Sequence, residues 1–84
     1  MGSMGNRVAI IGLIVEKPEA VDRMNAILHD YSGAIIGRMG LPYREKNVSI
    51  ISLAVDAPQN VTSALSGKLG RLEGVTVKTA FANV

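Results

Sequence analysis

The sequence predicts an α+β sandwich with the element order βαββαβ, in which four strands form one sheet and two helices cover one face of it. Three observations carry that prediction. Two ten-residue runs, Asn6–Val15 and Asn47–Asp56, are rich in β-branched and aliphatic residues and apolar in both alternating phases. Each is followed by a stretch whose apolar residues recur every three or four positions, as on one face of a helix. Two weaker strand patterns, Ala34–Leu41 and Val75–Ala80, complete the order.

The run Asn47–Asp56 places Ile51, Leu53 and Val55 on one side and Val48, Ile50 and Ala54 on the other, with Ser52 the clear polar member of the second set. In Asn6–Val15 the corresponding sets are Ile11, Leu13 and Val15 against Val8, Ile10 and Ile14, with Gly12 flattening the second. A strand apolar on both sides needs cover on both sides, so these two belong at the centre of the sheet.

Pro18 suits the first turn of the first helix, whose stripe is Val21, Met24, Ile27, Leu28 and Tyr31. Ser32-Gly33 closes it, with Gly33 placed as the left-handed residue after the last turn. Gly37 and Gly40 weaken the next strand, which fits an edge, a bulge or a close backbone neighbour. Pro42–Lys46 then reads as the loop into the central strand. Asp56 followed by Gln59 resembles a capping box opening the second helix. That helix carries Val61, Ala64, Leu65, the stem of Lys68, Leu69 and Leu72 on one side, and Gly74 ends it. In the final strand Val75 and Val77 point inward, Thr76 and Lys78 outward.

Right-handed crossovers then give the strand order 4-1-3-2, with the first and third strands neighbours and expected to run parallel. This is the ferredoxin-like arrangement, in an antiparallel or mixed sheet. Both helices lie over one face. The other face would stand open with Val8, Ile10, Ile14, Val48, Ile50 and Ala54, which is unusual for a soluble monomer. A homo-oligomer, dimer or tetramer, is therefore expected, with that face or the glycine-bearing edge at the contact.

With 84 residues the chain makes one domain, residues 4–84, after a Met1-Gly2-Ser3 segment that reads as an expression scar. The absence of cysteine removes disulfides and thiolate metal sites, and a cytoplasmic setting follows as the default. No apolar run of about 18 residues or secretory leader is present, so no membrane partner is expected. Nine Lys and Arg against seven Asp and Glu are scattered rather than striped, and one Phe, two Tyr and no Trp offer no base-stacking platform. Direct nucleic-acid binding is accordingly disfavoured.

Catalytic and cofactor motifs fail one by one. His29 is the single histidine, too few for a zinc site from one chain. Asp22, Asp30, Glu45, Asp56 and Glu73 lie on different elements or at element ends, and the serines lack a triad's base and orienting partner. Ser66-Gly67-Lys68 is no phosphate loop, because Thr62 stands where the first glycine is required and Leu69 where the hydroxyl is. No cofactor, metal or catalytic residue is assigned. One group remains as a ligand site: Arg38, Tyr43 and Arg44, two guanidinium groups and a phenol around the end of the second strand, suited to a carboxylate or phosphate between subunits.

The segments Arg38–Ala57 and Ala64–Thr79, above all Leu65-Ser66-Gly67-Lys68-Leu69-Gly70 with Gly74-Val75-Thr76-Val77-Lys78 and the Gly40-Leu41-Pro42 turn, resemble the family of iron-only hydrogenase system regulators. That family has a ferredoxin-like fold similar to ACT domains and to the C-terminal domain of the nickel-responsive repressor. The resemblance implies a small oligomeric regulatory or sensor module, not an enzyme, that takes a small-molecule effector at a subunit interface or a regulatory protein partner. It does not carry nickel ligands over, since His29 stands alone. Val15-Glu16-Lys17-Pro18-Glu19 keeps the proline of the ACT effector turn without its glycine. A small enzyme acting on an anionic substrate and a nucleic-acid-binding domain are the alternative readings.

Overall fold

The computed structural model describes residues 5–83; the Met1-Gly2-Ser3 segment lies outside them. Strand β1 is Asn6–Val15, followed by a 3-10 turn at Pro18–Ala20 and helix α1, Val21–Asp30. Strands β2, Ile35–Tyr43, and β3, Val48–Pro58, form a hairpin, and helix α2, Gln59–Gly70, leads to β4, Val75–Phe81. The sheet order is β2-β3-β1-β4, the predicted 4-1-3-2.

Every neighbouring pair is antiparallel, including β1 with β3. The parallel β1–β3 pair expected from the crossovers is thereby corrected. Each helical crossover skips one position, so β1 runs parallel to β2 and β3 to β4. The strand between each such pair must run the other way because β2 and β3 form a hairpin.

The core lies between the sheet and the helices. Ile11, Leu13, Val15, Ile51, Leu53 and Val55 are buried on the sheet side, against Met24 and Leu28 of α1 and Leu65 and Leu69 of α2. Val75 and Val77 pack at its margin. Alternation along two central strands and the helical stripes therefore meet in one apolar layer.

Several local expectations change. No side chain caps α2: β3 continues through Asp56 to Pro58, and Pro58 occupies the N-cap position. Buried Ala57 and the register Asn6 to Pro58 hold those residues in the sheet, so Asp56 pairs with Val8 instead of opening the helix. Gln59 accepts a hydrogen bond from Arg7 Nη1 at 2.8 Å. Gly33 is not the left-handed cap of α1; among the described residues only Asn47 and Gly74 have positive φ. The end of α1 is closed by the Tyr31 N–H bonding to Leu28 and His29 carbonyls. Pro42 lies within β2, opposite Ser49, as an edge strand tolerates, and a bulge between Ile35 and Gly37 bends the same strand. The β2–β3 turn is thus Arg44–Asn47, with Asn47 at φ 58.

On α2 the buried stripe is Thr62, Leu65 and Leu69, whereas Ala64 is exposed. Among the described residues the buried Thr62 hydroxyl finds no hydrogen-bond partner. Thr62→Val replaces it with a methyl of the same shape and is expected to be neutral or to stabilise by up to about 1 kcal/mol, read from the urea midpoint. Gly67 sits mid-helix with open space where a Cβ would be. Gly67→Ala should add about 0.5–1 kcal/mol, seen as a raised Tm.

Candidate functional site

Side chains on even-numbered positions of β1 and β3 point away from the helices, and the register sets them in rows across the sheet. One row runs Leu41, Ile50, Ile14, Thr76; the next Met39, Ser52, Gly12, Lys78; the next Gly37, Ala54, Ile10, Ala80. Tyr43 and Val48 pair at one end of the face, and Asp56 and Val8 at the other. Met39 is 70% exposed, Leu41 59%, Ile10 54%, Ile14 42%, Ile50 41% and Tyr43 40%. Apart from Ile36 at the β2 bulge, these are all the exposed large apolar side chains among the described residues. Their confinement to one face makes a single patch rather than scattered exposure. In its middle, Gly12 and Ser52 leave a shallow apolar depression of about 290 Å³ walled by Ile14 and Ile50, with Lys78 at its rim.

A second depression, about 200 Å³, opens at the end of the sheet where the β1–α1 connection meets the β2–β3 hairpin. Val15, Pro18 and Val21 give it an apolar side; Glu16, Tyr43, Arg44 and Asn47 supply polar groups. The Glu45 side chain, as hydrogen-bond partner, and desolvation raise the Tyr43 phenol pKa, so that at neutral pH it stays protonated with its one proton directed to Glu45. The Arg44 guanidinium and the Asn47 amide are the donors this cleft offers a small organic anion beside its apolar wall, with the Glu16 carboxylate opposing it.

Arg38 is placed elsewhere. It pairs with Leu53 and so leaves β2 on the helix side, where its Nη2 donates to Asn25 Oδ1 of α1 at 3.1 Å. There it lines a separate groove with Leu28, His29, Ser32 and Ile35. Five residues of strand, roughly 17 Å, separate it from Tyr43. The structure therefore brings Tyr43 and Arg44 together and leaves Arg38 apart. Sequence reasoning leaves Glu16 out of the site, although it lies in the Val15–Glu19 turn that the ACT resemblance singles out; the fold brings that turn against the hairpin.

Two contacts fix that connection. The Glu16 N–H donates to the Gly74 carbonyl at 2.7 Å, and Lys17 Nζ meets Glu73 Oε2 at 2.7 Å. The Lys17 hydrogen bond and charge lower the Glu73 pKa, and the reciprocal contact raises that of Lys17. Because the Glu73 pKa is depressed on folding, its contribution is present above the unfolded carboxylate pKa and is lost as pH falls through the folded one. The Lys17 contribution is present below the unfolded ammonium pKa and disappears as pH rises through the raised folded value. Both groups face solvent, so Glu73→Gln should flatten the acid limb of a stability–pH profile only slightly.

The family model for TM1266-like iron-only hydrogenase system regulators matches residues 7–79. The chain belongs to this family. The uncharacterized protein TM1266 from Thermotoga maritima is 38% identical to the chain and superimposes with a TM-score of 0.89, over 93% of this chain and 99% of that one. The family assignment makes this a small regulatory module with a ferredoxin-like, ACT-like fold, classed with regulators rather than enzymes. The C-terminal domain of MgtC from Mycobacterium tuberculosis matches at 14% identity and a TM-score of 0.73, over 94% of this chain and 90% of that one. A formyltetrahydrofolate deformylase from Pseudomonas putida KT2440 matches at 10% identity and 0.65, over 92% of this chain and 29% of that one. These two likenesses establish the fold alone. No curated protein matches the chain by sequence. Among the described residues, no three His, Cys, Asp or Glu gather to hold a metal ion, and no helix is long and apolar enough to cross a membrane.

Proposed function

We propose that the chain is a homodimeric sensor module of an iron-only hydrogenase system, its subunits joined through the helix-free sheet face and its output set by a small organic anion held at Tyr43 and Arg44. The observation that carries the reading is the apolar face itself: six large apolar side chains share it with two charged groups, Asp56 and Lys78. Strands at ~4.8 Å spacing and about nine residues at ~3.3 Å rise give the face an area on the order of 500 Å². Full overlap of two copies then buries about 1,000 Å², the size of a weak, reversible interface. Tyr43 lies on the rim of that face and also lines the cleft, so an occupant of the cleft touches the contact between subunits. Such differential contact is what lets a ligand shift an assembly equilibrium.

The module works in the cytoplasm and passes its state to a protein partner. Supporting this over direct operator binding, Arg7 is engaged by Ala82, Gln59 and Asn83, Lys17 by Glu73 and Arg38 by Asn25, so these cations do not form one basic stripe. A thermal-shift screen of amino acids, organic phosphates, nucleotides and divalent metals tests the effector. At least one anionic compound should raise Tm in the wild type and not in Arg44→Ala, with Arg38→Ala as the control that keeps the response. Silence from every compound, together with no partner in a pull-down, would leave the reading without support.

A further inference from the structure

We infer that the two copies form an aligned sandwich in which Met39 of each seats in the Gly12–Ser52 depression of the other; this rests on the dimer reading above. The central row of the face is uneven. Met39, its most exposed apolar side chain at 70%, stands at one side, and the depression of about 290 Å³ lies over Gly12 and Ser52. Packed interfaces match the density of protein interiors and do not keep an apolar void of that size empty. Methionine, unbranched and flexible, is the side chain best able to fill an irregular gap.

The spacing allows a reciprocal fit. The depression is lined from β3, β1 and β4, so its centre lies over β1, two strand spacings or about 10 Å from β2. A two-fold axis parallel to the strands and halfway along that distance carries each Met39 onto the other copy's depression. The same operation lays Leu41 over the other copy's Ile14 and brings the two Ile50 side chains together at the axis. Sheets in sandwiches pack with strands aligned within about 30°, as this axis requires. It also leaves β4 at the rim, which agrees with Thr76, Lys78 and Ala80 there in place of large apolar residues. An axis running across the strands does worse. It stacks Met39 on Met39, sets the two depressions against each other as an unfilled hole, and brings Lys78 against Lys78.

The chain has no native cysteine, so single cysteines report the arrangement. A Cβ at Gly12 meets nothing nearer than the Lys78 carbonyl at 3.8 Å, so Gly12→Cys fits the fold. Met39→Cys and Gly12→Cys chains, mixed, allowed to exchange and treated with a short bis-maleimide, should give a cross-linked heterodimer. Met39→Cys alone should give little. In sedimentation, Gly12→Leu and Met39→Ala should each weaken association by about tenfold or more. The double variant should lose less than the two losses multiplied, because each new Leu occupies the place of the missing Met. Self-cross-linking of Met39→Cys without the heterodimer, in a protein that still dimerises, would overturn this packing and leave the dimer intact. A wild type that sediments as a monomer would overturn both.

Discussion

Leu53→Ala is expected to remove about 3–5 kcal/mol of stability, a large share of the total. Leu53 is fully buried on β3, opposite Ile11 on β1, in the layer shared by both helices. Removing a leucine side chain from such a site loses its transfer free energy and leaves a cavity that a strand paired on both sides cannot collapse to fill. A domain of this length has only about 4–12 kcal/mol in hand. The loss should appear as a lowered urea midpoint in circular dichroism. A change below about 1 kcal/mol would mean that the layer between sheet and helices is not the core.

Ile50→Lys should have the opposite profile, sparing the fold and breaking the assembly. Ile50 stands on the helix-free face between Leu41 and Ile14, 41% exposed in the single chain, so a lysine there can reach water when the chain is alone. Covered by a second copy, the ammonium would be buried without a partner, at a cost of several kcal/mol. The dimer dissociation constant should rise at least about 100-fold while the far-ultraviolet spectrum stays that of the wild type. Retention of wild-type association would place the contact on another surface. Ser63→Lys, exposed on α2 away from that face, is the control and should change association by less than about tenfold.

The readable parts of the fold were those in which periodicity and composition agreed. The bounds of β1 coincide with the predicted Asn6–Val15, and the α1 stripe of Met24 and Leu28 is buried as the spacing required. The two-sided apolar pattern of β1 and β3 identified both the central pair and the bare face. What was not readable depended on contacts distant in sequence. Asp56 and Gln59 have capping chemistry, but pairing with β1 holds the first in the sheet and Arg7 engages the second. Pro42 resembles a loop residue until β2 is known to be an edge strand. Strand direction misled because the adjacency of β1 and β3 follows from the crossovers, while their direction follows from the hairpin.

The candidate site was legible in part for a similar reason. Tyr43 and Arg44 are adjacent in sequence and remain together, whereas Arg38 is an odd number of residues from Tyr43 along a strand and emerges on the opposite side of the sheet. Glu16, Val15 and Pro18 join the cleft only because the β1–α1 connection is tied to the turn before β4. Gly74, at φ +81 with the Lys17 side chain against the space a Cβ would occupy, is what permits that approach.

Sedimentation equilibrium of the full chain from low micromolar to high micromolar concentration tests most directly whether a second subunit covers the bare side of the sheet. The expected result is a reversible monomer–dimer equilibrium that the Ile50→Lys variant shifts wholly to monomer. A wild-type mass of one chain at every concentration, with the fold intact, would contradict it.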